Sequence, residues 1–302
     1  MDVIILSKSF MANVSSLAEI PSTLYVHVGT HKTGTTAIQK FLYDNKNLLA
    51  DKGVRRLQVG VPEGSEQSWG HHQLAWALQN YDQKSIWKMA AREAMGSSAA
   101  LISSEEFSLI RKVSFYDPVR KNFSHTLVRP ICYLRRQDKY LESVYNHHVK
   151  SLGEVQPIME FAKRIAYRLD YGALIQCLAD SFGGKNIILR TYDRNLLIVD
   201  IFQDFLDAIG IASTDHFIRP EKTVNAGLSA VGLKKMLEAN KRYAENPIDL
   251  KKARVEIMES YSNPSFTEHH ILTPSDRETV LETFTHSNNH IAEVYLGRKS
   301  MF

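Results

Sequence analysis

The stretch Leu24-Tyr-Val-His-Val-Gly-Thr-His-Lys-Thr-Gly-Thr-Thr-Ala-Ile-Gln-Lys-Phe-Leu42 decides the fold of this chain. Residues 24–28 form a short apolar run that is typical of a buried strand, and the run ends at a glycine-containing loop. After the loop, apolar side chains recur at the spacing of one helix face: Ala37, Ile38, Phe41 and Leu42. The first N–H groups of a helix have no intrahelical partner, so a loop that enters a helix in this way suits an anion. The stretch therefore predicts a phosphate site between a strand and a helix.

The glycine spacing is almost that of the nucleoside-triphosphate P-loop, G-x4-G-K-[ST], with Gly29 and Gly34 at the glycine positions. The lysine position of that motif is occupied by Thr35, and the lysine of this loop is Lys32. The loop thus predicts a phosphate cradle whose positive charge enters from another point. Thr36 stands where P-loop enzymes bind Mg²⁺, which keeps a kinase with a displaced lysine as an alternative.

A second anion site is predicted about a hundred residues later in the chain. Leu127-Val-Arg-Pro-Ile-Cys-Tyr-Leu134 is a mostly apolar strand candidate, and Arg135-Arg-Gln-Asp-Lys-Tyr-Leu-Glu-Ser143 leads from it into a helix. Arginine offers a two-pronged donor for a phosphate dianion, and a serine in the first turns of the helix adds a hydroxyl. The alternative is a pair of solvated arginines at a strand end.

Taken together, Gly29-Thr-His-Lys-Thr-Gly-Thr-Thr36, Arg135 and Ser143 resemble the donor site of sulfotransferases that use 3′-phosphoadenosine 5′-phosphosulfate (PAPS). The resemblance is to the bacterial and carbohydrate-type members. It implies that the loop binds the 5′-phosphosulfate, that Arg135 and Ser143 bind the 3′-phosphate, and that Lys32, on an exposed loop, stabilises the departing oxygen without a metal. The donor-binding residues that it implies are Thr30, His31, Lys32, Thr33, Gly34, Thr35, Thr36, Arg135 and Ser143.

Sulfuryl transfer to a hydroxyl also needs a base, because the pKa of the acceptor is too high for attack at neutral pH. Ala99-Ala-Leu-Ile-Ser-Ser-Glu-Glu-Phe107 predicts a strand that ends in two carboxylates, at the sheet edge where ligands of α/β proteins bind. By the resemblance, carbohydrate enzymes use glutamate as base, whereas phenol and steroid enzymes use histidine. Glu105 is therefore the first choice, with Glu106 in reserve and His72 as the rival. Both carboxylates could instead be charges favoured at a helix N-terminus.

The remaining apolar runs predict an α/β protein with a parallel sheet. Strands are expected over 24–28, 54–59, 99–103, 127–134 and 186–190, with helices over 35–50, 72–80, 85–95, 137–151 and 170–182 between them. The later helices are expected over 198–209, 228–244, 250–260 and 275–296. Gly183-Gly184 predicts a helix stop, Ser275-Asp-Arg-Glu278 predicts a capping box, and Asn225-Ala-Gly227 predicts an interruption near the donor. His27 is expected in the core, and the pair His147-His148 on a solvated or packing face.

Length and composition agree with an enzyme of one large domain. The 302 residues, 44% of them hydrophobic, are enough for a single P-loop-like domain, which is expected over 23–302. Residues 1–22 are weakly patterned and are expected to form a loosely ordered N-terminal lead-in, with Met1 or Met11 as the natural start. That domain divides into a donor-binding core over 24–190 and a mostly helical part over 198–297. The net charge of +4 without a long basic run argues against nucleic acid and suits a small anionic donor.

The expected location is the cytoplasm, because no apolar segment is long enough to span a membrane or to form a signal peptide. Cys132 and Cys177 are expected to be buried free thiols. No cluster has the spacing of a zinc site, so no metal is expected. The loop type favours a glycan or glycolipid acceptor and leaves a phenol, an alcohol or a peptidyl tyrosine open. A non-catalytic nucleotide-binding protein remains a further alternative, and the sequence does not predict the oligomeric state.

Overall fold

The computed structural model describes residues 19–62, 69–80, 83–192, 200–212, 216–220, 227–263 and 271–302. Most of the predicted lead-in, and residues 225 and 226 of the expected interruption, lie outside these ranges.

A five-stranded parallel sheet forms the centre of the fold, with strand order β2-β3-β1-β4-β5. Its strands are β1 (Thr23–His27), β2 (Val54–Arg56), β3 (Ala99–Ser103), β4 (Leu127–Leu134) and β5 (Ile188–Thr191). The predicted strands all form, and β3 and β4 have the predicted bounds. The loop after β1 therefore opens between the ends of β3 and β4, at the carboxyl edge of the sheet.

Helices cover the sheet and form the C-terminal part. They are α1 (Thr35–Asp44), α2 (Lys46–Asp51), α3 (His72–Gln79), α4 (Ile86–Ala94), α5 (Asp117–Asn122), α6 (Gln137–Leu152), α7 (Ile158–Arg164), α8 (Ala166–Leu169), α9 (Tyr171–Phe182), α10 (Ile201–Ala208), α11 (Ala230–Arg242), α12 (Pro247–Tyr261) and α13 (Pro274–Leu296). Two short strands, β6 (Gly227–Leu228) and β7 (Ser262–Asn263), pair antiparallel. The predicted α/β class, with a parallel sheet flanked by helices and a helical C-terminal part, is confirmed.

Alternating side chains of β1 pack into two different cores. Leu24 and Val26 join the core that α3, α4 and α9 cover. Tyr25 joins the opposite core, which α1 and α10 cover. Because both faces are buried, β1 reads as a continuous apolar run rather than an alternating one. The strand that carries the loop is thereby fixed from both sides.

A third core joins the C-terminal helices to α6. Tyr140 and Leu141 of α6 pack with Phe161 of α7, Met236 of α11 and Val280 of α13. This core leaves one side of α6 available to face the loop after β1.

Several predicted helix boundaries differ from the structure, and two of the differences have a clear side-chain cause. The helix expected over 35–50 divides at Asn45, whose side-chain amide donates to the carbonyls of Phe41 and Ile218, both at 2.8 Å. The last helix begins at Pro274 and is capped by Thr273, whose hydroxyl accepts from the Asp276 N–H at 3.1 Å. Proline at the first helical position favours this earlier start over the predicted capping box.

The glycine stop before β5 is confirmed, since α9 ends at Phe182 and Gly183 has a φ of 87°. Among the described residues, no helix combines the length and the apolar character that a membrane crossing requires.

Candidate functional site

The loop after β1 is held to the neighbouring strand by two threonines. The backbone N–H and the hydroxyl of Thr30 both donate to the carbonyl of Tyr133, at 3.2 and 3.0 Å. The hydroxyl of Thr33 donates to the carbonyl of Thr30 at 2.6 Å. Both threonines are buried. Each hydroxyl proton is already donated to a carbonyl, so both side chains hold the loop. The contact of Thr30 and Thr33 with the donor stays a prediction.

Beyond these threonines the chain enters α1 through Gly34. Gly34 has a φ of 75°, and a Cβ there would lie 2.8 Å from Cδ1 of Ile201. No side chain caps α1, so the N–H groups of its first turn lie open at the end of the loop. Thr35 is buried and Thr36 is exposed at this terminus. The arrangement can bind an anion through the backbone and the Thr36 hydroxyl.

Lys32 lies within this loop in an uncommon conformation. Its φ is 65°, and it is the one non-glycine residue with a left-handed φ in the described part of the chain. Lys32 is half-buried, which corrects the expectation of an exposed loop lysine. Burial lowers the pKa of its ammonium to about 8, repulsion from Lys150 and Arg135 adds to the effect, and Glu105 opposes it. At neutral pH Lys32 is therefore still a cation, and it is partly desolvated, which strengthens its attraction for an anion.

Arg135 connects the second predicted anion site to the loop. One of its Nη atoms donates to the carbonyl of Lys32 at 3.0 Å, and its guanidinium lies 5.8 Å from the ring centre of Tyr192. Tyr171 fixes its backbone by donating to the Arg135 carbonyl at 2.6 Å. Arg136 turns instead to Asp138, with two contacts of 2.8 Å. The two neighbouring arginines therefore have different surroundings.

One face of α6 extends this positive region. Lys139, Ser143, His147 and Lys150 recur at helical spacing and are half-buried. Burial lowers the pKa of His147 to about 4, with further contributions from Lys32, His148, Lys150 and His31. His147 is thus uncharged at neutral pH beside two lysines.

Sequence reasoning did not assign Lys150 to the site, and it regarded His147 as a solvated or packing residue. The repeat of polar residues along one face of α6 was the signal that could have found both. The partner histidine, His148, packs on Phe161 with ring centres 4.8 Å apart, which agrees with a packing role.

Glu105 lies across the loop from Lys32, at the end of β3. A short 3₁₀ turn, Glu105–Leu109, begins after Ser104, whose hydroxyl accepts from the Glu106 N–H at 3.2 Å. One carboxylate oxygen of Glu105 accepts from the side-chain amide of Gln39 at 2.7 Å. Gln39 belongs to α1, so the same helix positions both the anion-binding amides and the candidate base.

Glu106 interacts with two neighbouring side chains, His31 and Trp76. Its carboxylate lies 3.4 Å from His31 Nε2. The hydrogen bond from His31 lowers the pKa of Glu106, as does a weaker one from Trp76, and burial opposes them. A carboxylate held ionised in this way is a poorer proton acceptor. Glu105 as the base stays a prediction.

His72, the rival base, lies close to Glu106 and hydrogen-bonds to Ser104. Its Nδ1 lies 2.8 Å from the Ser104 hydroxyl, and its ring stacks on Trp76. His71 is buried between the carbonyls of Leu57 and Ser103 and is structural.

His27 lies beneath the loop, as predicted for a core residue. It is fully buried, and its Nδ1 lies 2.7 Å from the Ser103 hydroxyl. Burial lowers its pKa to about 3, so the ring is neutral. A Cβ on Gly29 would lie 2.6 Å from His27 Nε2, which explains why the loop starts with glycine.

Four separate segments thus meet at the carboxyl edge of the sheet: the loop after β1, the turn after β3, the end of β4 and the outer face of α6. Within the described ranges, no group of three or more potential metal ligands comes together. Cys132 and Cys177 are free and buried, as predicted.

Comparison with known proteins gives two partial likenesses. No family model matches the chain. An uncharacterized protein of Archaeoglobus fulgidus is 29% identical over 205 residues, which cover 67% of this chain and 55% of that protein. The chain thus spans about half the length of the curated relative it matches. The solved structure of a sulfotransferase from Alicyclobacillus acidocaldarius has a TM-score of 0.42 and 15% identity, over 78% of this chain and 95% of that one.

Proposed function

We propose that this protein is a sulfotransferase that moves the sulfuryl group of PAPS to an acceptor hydroxyl or amine, on a glycan or glycolipid. One observation carries the proposal. The half-buried Lys32 lies in a loop that ends at an uncapped helix, and its carbonyl accepts a hydrogen bond from Arg135 at 3.0 Å. The two segments that resemble the two donor-phosphate sites of PAPS enzymes are therefore in direct contact.

Each end of the donor has its own residues in this proposal. The amides at Gly34, Thr35 and Thr36 hold the 5′-phosphate, with the Thr36 hydroxyl beside them. The guanidinium of Arg135 and the hydroxyl of Ser143 hold the 3′-phosphate. His31 lies at the rim of the loop, next to Glu106.

The transfer step uses Lys32 and Glu105. The acceptor oxygen attacks sulfur while Glu105 takes the proton of the acceptor, and the bond between sulfur and the 5′-phosphate oxygen breaks. The electron pair of that bond remains on the phosphate oxygen, and the Lys32 ammonium stabilises its charge. Lys32 supplies the charge that a metal supplies in P-loop phosphotransferases. The products are the sulfated acceptor and 3′-phosphoadenosine 5′-phosphate (PAP).

Calorimetry with PAP and with ATP plus Mg²⁺ tests the choice of donor. We expect PAP to bind at least about tenfold more tightly, because it alone offers a phosphate to each of the two anion sites. Radiolabelled PAPS should then transfer its label, and Lys32→Ala should reduce turnover about a hundredfold or more. Mg²⁺-dependent turnover of ATP would favour the kinase alternative. Tight PAP binding without any transfer by the wild-type protein would favour a non-catalytic nucleotide-binding protein.

A further inference from the structure

A fixed aromatic surface lies beside the candidate bases. Trp76 projects from α3 and is 48% exposed, although it is a large aromatic side chain. Its ring stacks against His72, with ring centres 5.8 Å apart and an angle of 27° between the planes. Its side chain also hydrogen bonds to Glu106. One face and one edge of the indole are therefore occupied, and the exposed part is held in a defined orientation.

A second exposed aromatic group, Tyr167, is linked to Glu106 through Arg168. Tyr167 is 47% exposed, and Arg168 lies over its ring at 5.7 Å while its Nε donates to the tyrosine oxygen at 3.1 Å. Glu106 attracts the Arg168 guanidinium. Arg111 holds the backbone here by donating to the Tyr167 carbonyl at 2.7 Å. Trp76 and Tyr167 are thus two exposed rings, the first hydrogen-bonded to Glu106 and the second linked to it through Arg168.

The chemistry of this rim limits what can lie on it. An apolar acceptor such as a phenol or a steroid gains its affinity by burial in an enclosed apolar pocket. Here both rings are about half exposed, and the neighbours that they contact are polar or charged: His72 and Glu106 for Trp76, and Arg168 for Tyr167. A pyranose matches this mixture, because its faces carry C–H groups and its edges carry hydroxyls. Stacking on an aromatic face and hydrogen bonding to charged groups can then occur together.

We propose that Trp76 is the stacking platform for a sugar ring of the acceptor, with Tyr167 and Arg168 as a second contact. This inference rests on the proposed sulfotransferase function and assigns the residues that bind the sugar acceptor. A sugar hydroxyl placed over Trp76 would lie next to His72 and Glu106, and Glu105 is the residue before Glu106 in the same turn. The platform therefore presents the acceptor to the candidate bases.

The test measures transfer from radiolabelled PAPS to neutral oligosaccharides, uronic-acid oligosaccharides, p-nitrophenol, a tyrosyl peptide and a long-chain alcohol. We expect saccharides to be labelled fastest. With the best saccharide, Trp76→Ala should raise the acceptor KM about tenfold or more, the loss expected when a stacking contact worth about 1.4 kcal/mol is removed. Trp76→Phe keeps an aromatic face but loses the hydrogen bond to Glu106, and its KM should stay within about threefold of wild type.

Two controls separate this inference from the donor assignment. The dissociation constant of PAP should be the same in wild type and Trp76→Ala, since Trp76 is not assigned to the donor. Met89→Ala removes an apolar side chain that is 55% exposed on α4, and it should leave the acceptor KM unchanged.

Three results would overturn the acceptor assignment while the donor assignment stood. They are tight PAP binding with no saccharide labelled, faster labelling of the phenol or alcohol, and an equal loss in Trp76→Phe and Trp76→Ala. The last result would show that Trp76 acts through Glu106 rather than by stacking. Failure to bind PAP at all would instead refute the proposed function itself.

Discussion

Lys32 has the surroundings that make its charge both useful and sensitive to pH. It is half-buried in a left-handed conformation, and Arg135 and Lys150 repel its ammonium. Like charges placed together in a partly desolvated site are unfavourable in the free protein and become favourable when a dianion binds between them. The loop is therefore organised to bind an anion rather than to stabilise the free protein.

A first prediction concerns the pH dependence of catalysis. Since burial lowers the pKa of Lys32 to about 8, the ammonium is lost as pH rises through that value, and kcat/KM for the donor should fall above about pH 8. A bound anionic donor favours the charged form, so the alkaline decline in kcat should lie at higher pH. Lys32→Arg stays protonated, and even a weak variant should lack the decline near pH 8. The same decline in Lys32→Arg would assign the titration to another group.

The second prediction separates the two carboxylates at the end of β3. Glu105→Gln should leave PAP affinity within about twofold and reduce turnover about a hundredfold or more, because the amide cannot accept the acceptor proton. Glu106→Gln is the matched control. It alters the neighbouring carboxylate that His31 and Trp76 hold, and it should change turnover less and the acceptor KM more. Steady-state kinetics and PAP calorimetry on both variants distinguish these outcomes. A larger loss of turnover in Glu106→Gln would exchange the roles of the two residues.

At the scale of the elements, the sequence predicted strand bounds best for the buried strands β3 and β4. The bounds of β3 and β4 were predicted because their apolar runs end at Glu105 and Arg135. Helix ends were harder to predict, since they depend on side-chain contacts across the fold. Asn45 divides α1 from α2 partly by binding the backbone of Ile218, far away in sequence. The short α7 and α8 have too few residues to show a helical period.

A third prediction tests the contact between β4 and the loop. Arg135→Ala should raise the PAP dissociation constant by about one to two orders of magnitude, because a charge-assisted phosphate contact and the hydrogen bond to the Lys32 carbonyl are both lost. Arg136→Ala removes the adjacent arginine, which is paired with Asp138, and serves as the control. It should lower the unfolding free energy, and PAP affinity should fall much less than in Arg135→Ala, because only the indirect effect through Asp138 remains. Calorimetry and urea unfolding of both variants measure this contrast. A PAP affinity of Arg135→Ala similar to that of Arg136→Ala would exclude Arg135 from the donor site.

At the scale of the whole molecule, the parts of the site that could be predicted were those that are local in sequence. The loop, Arg135 and the Glu105–Glu106 pair each follow a strand, and a parallel sheet brings the ends of its strands to one edge. Lys150 and Trp76 were not predicted to take part. Their position depends on how α6 and α3 are turned against the sheet. Packing between distant segments sets that orientation. The polar repeat along α6 could have grouped Lys150 with Ser143 on one face, but it does not show which way that face points.

An ion-pair network joins α6 to the last helix. Asp138 is fully buried and paired with Arg136 and Arg277, and Arg277 also contacts Glu142 at 3.0 Å. Glu142 in turn accepts from the N–H groups of Ile271 and Leu272, at 2.8 and 2.9 Å. Burial alone would raise the pKa of Asp138, but the hydrogen bonds from Arg136 and Arg277 outweigh it and lower the pKa. The helix that carries Ser143 and Lys150 is thereby joined to α13.

The fourth prediction is that Arg277→Ala destabilises the protein and weakens the donor site together. Removing one partner leaves two buried carboxylates undercompensated, so we expect a loss of about 3 kcal/mol in the unfolding free energy at neutral pH, measured in urea. Lys163→Ala, which breaks the exposed pair with Glu160, should cost at most about 1 kcal/mol. A carboxyl whose pKa is lowered in the folded state contributes stability above its unfolded pKa and loses it as pH falls, so the difference between wild type and Arg277→Ala should shrink on acidification.

If α6 is oriented by this network, PAP affinity should fall in Arg277→Ala although Arg277 is not assigned to the nucleotide. Full PAP affinity in the folded variant would show that the packing of α6 on α7 and α11 orients the helix without it.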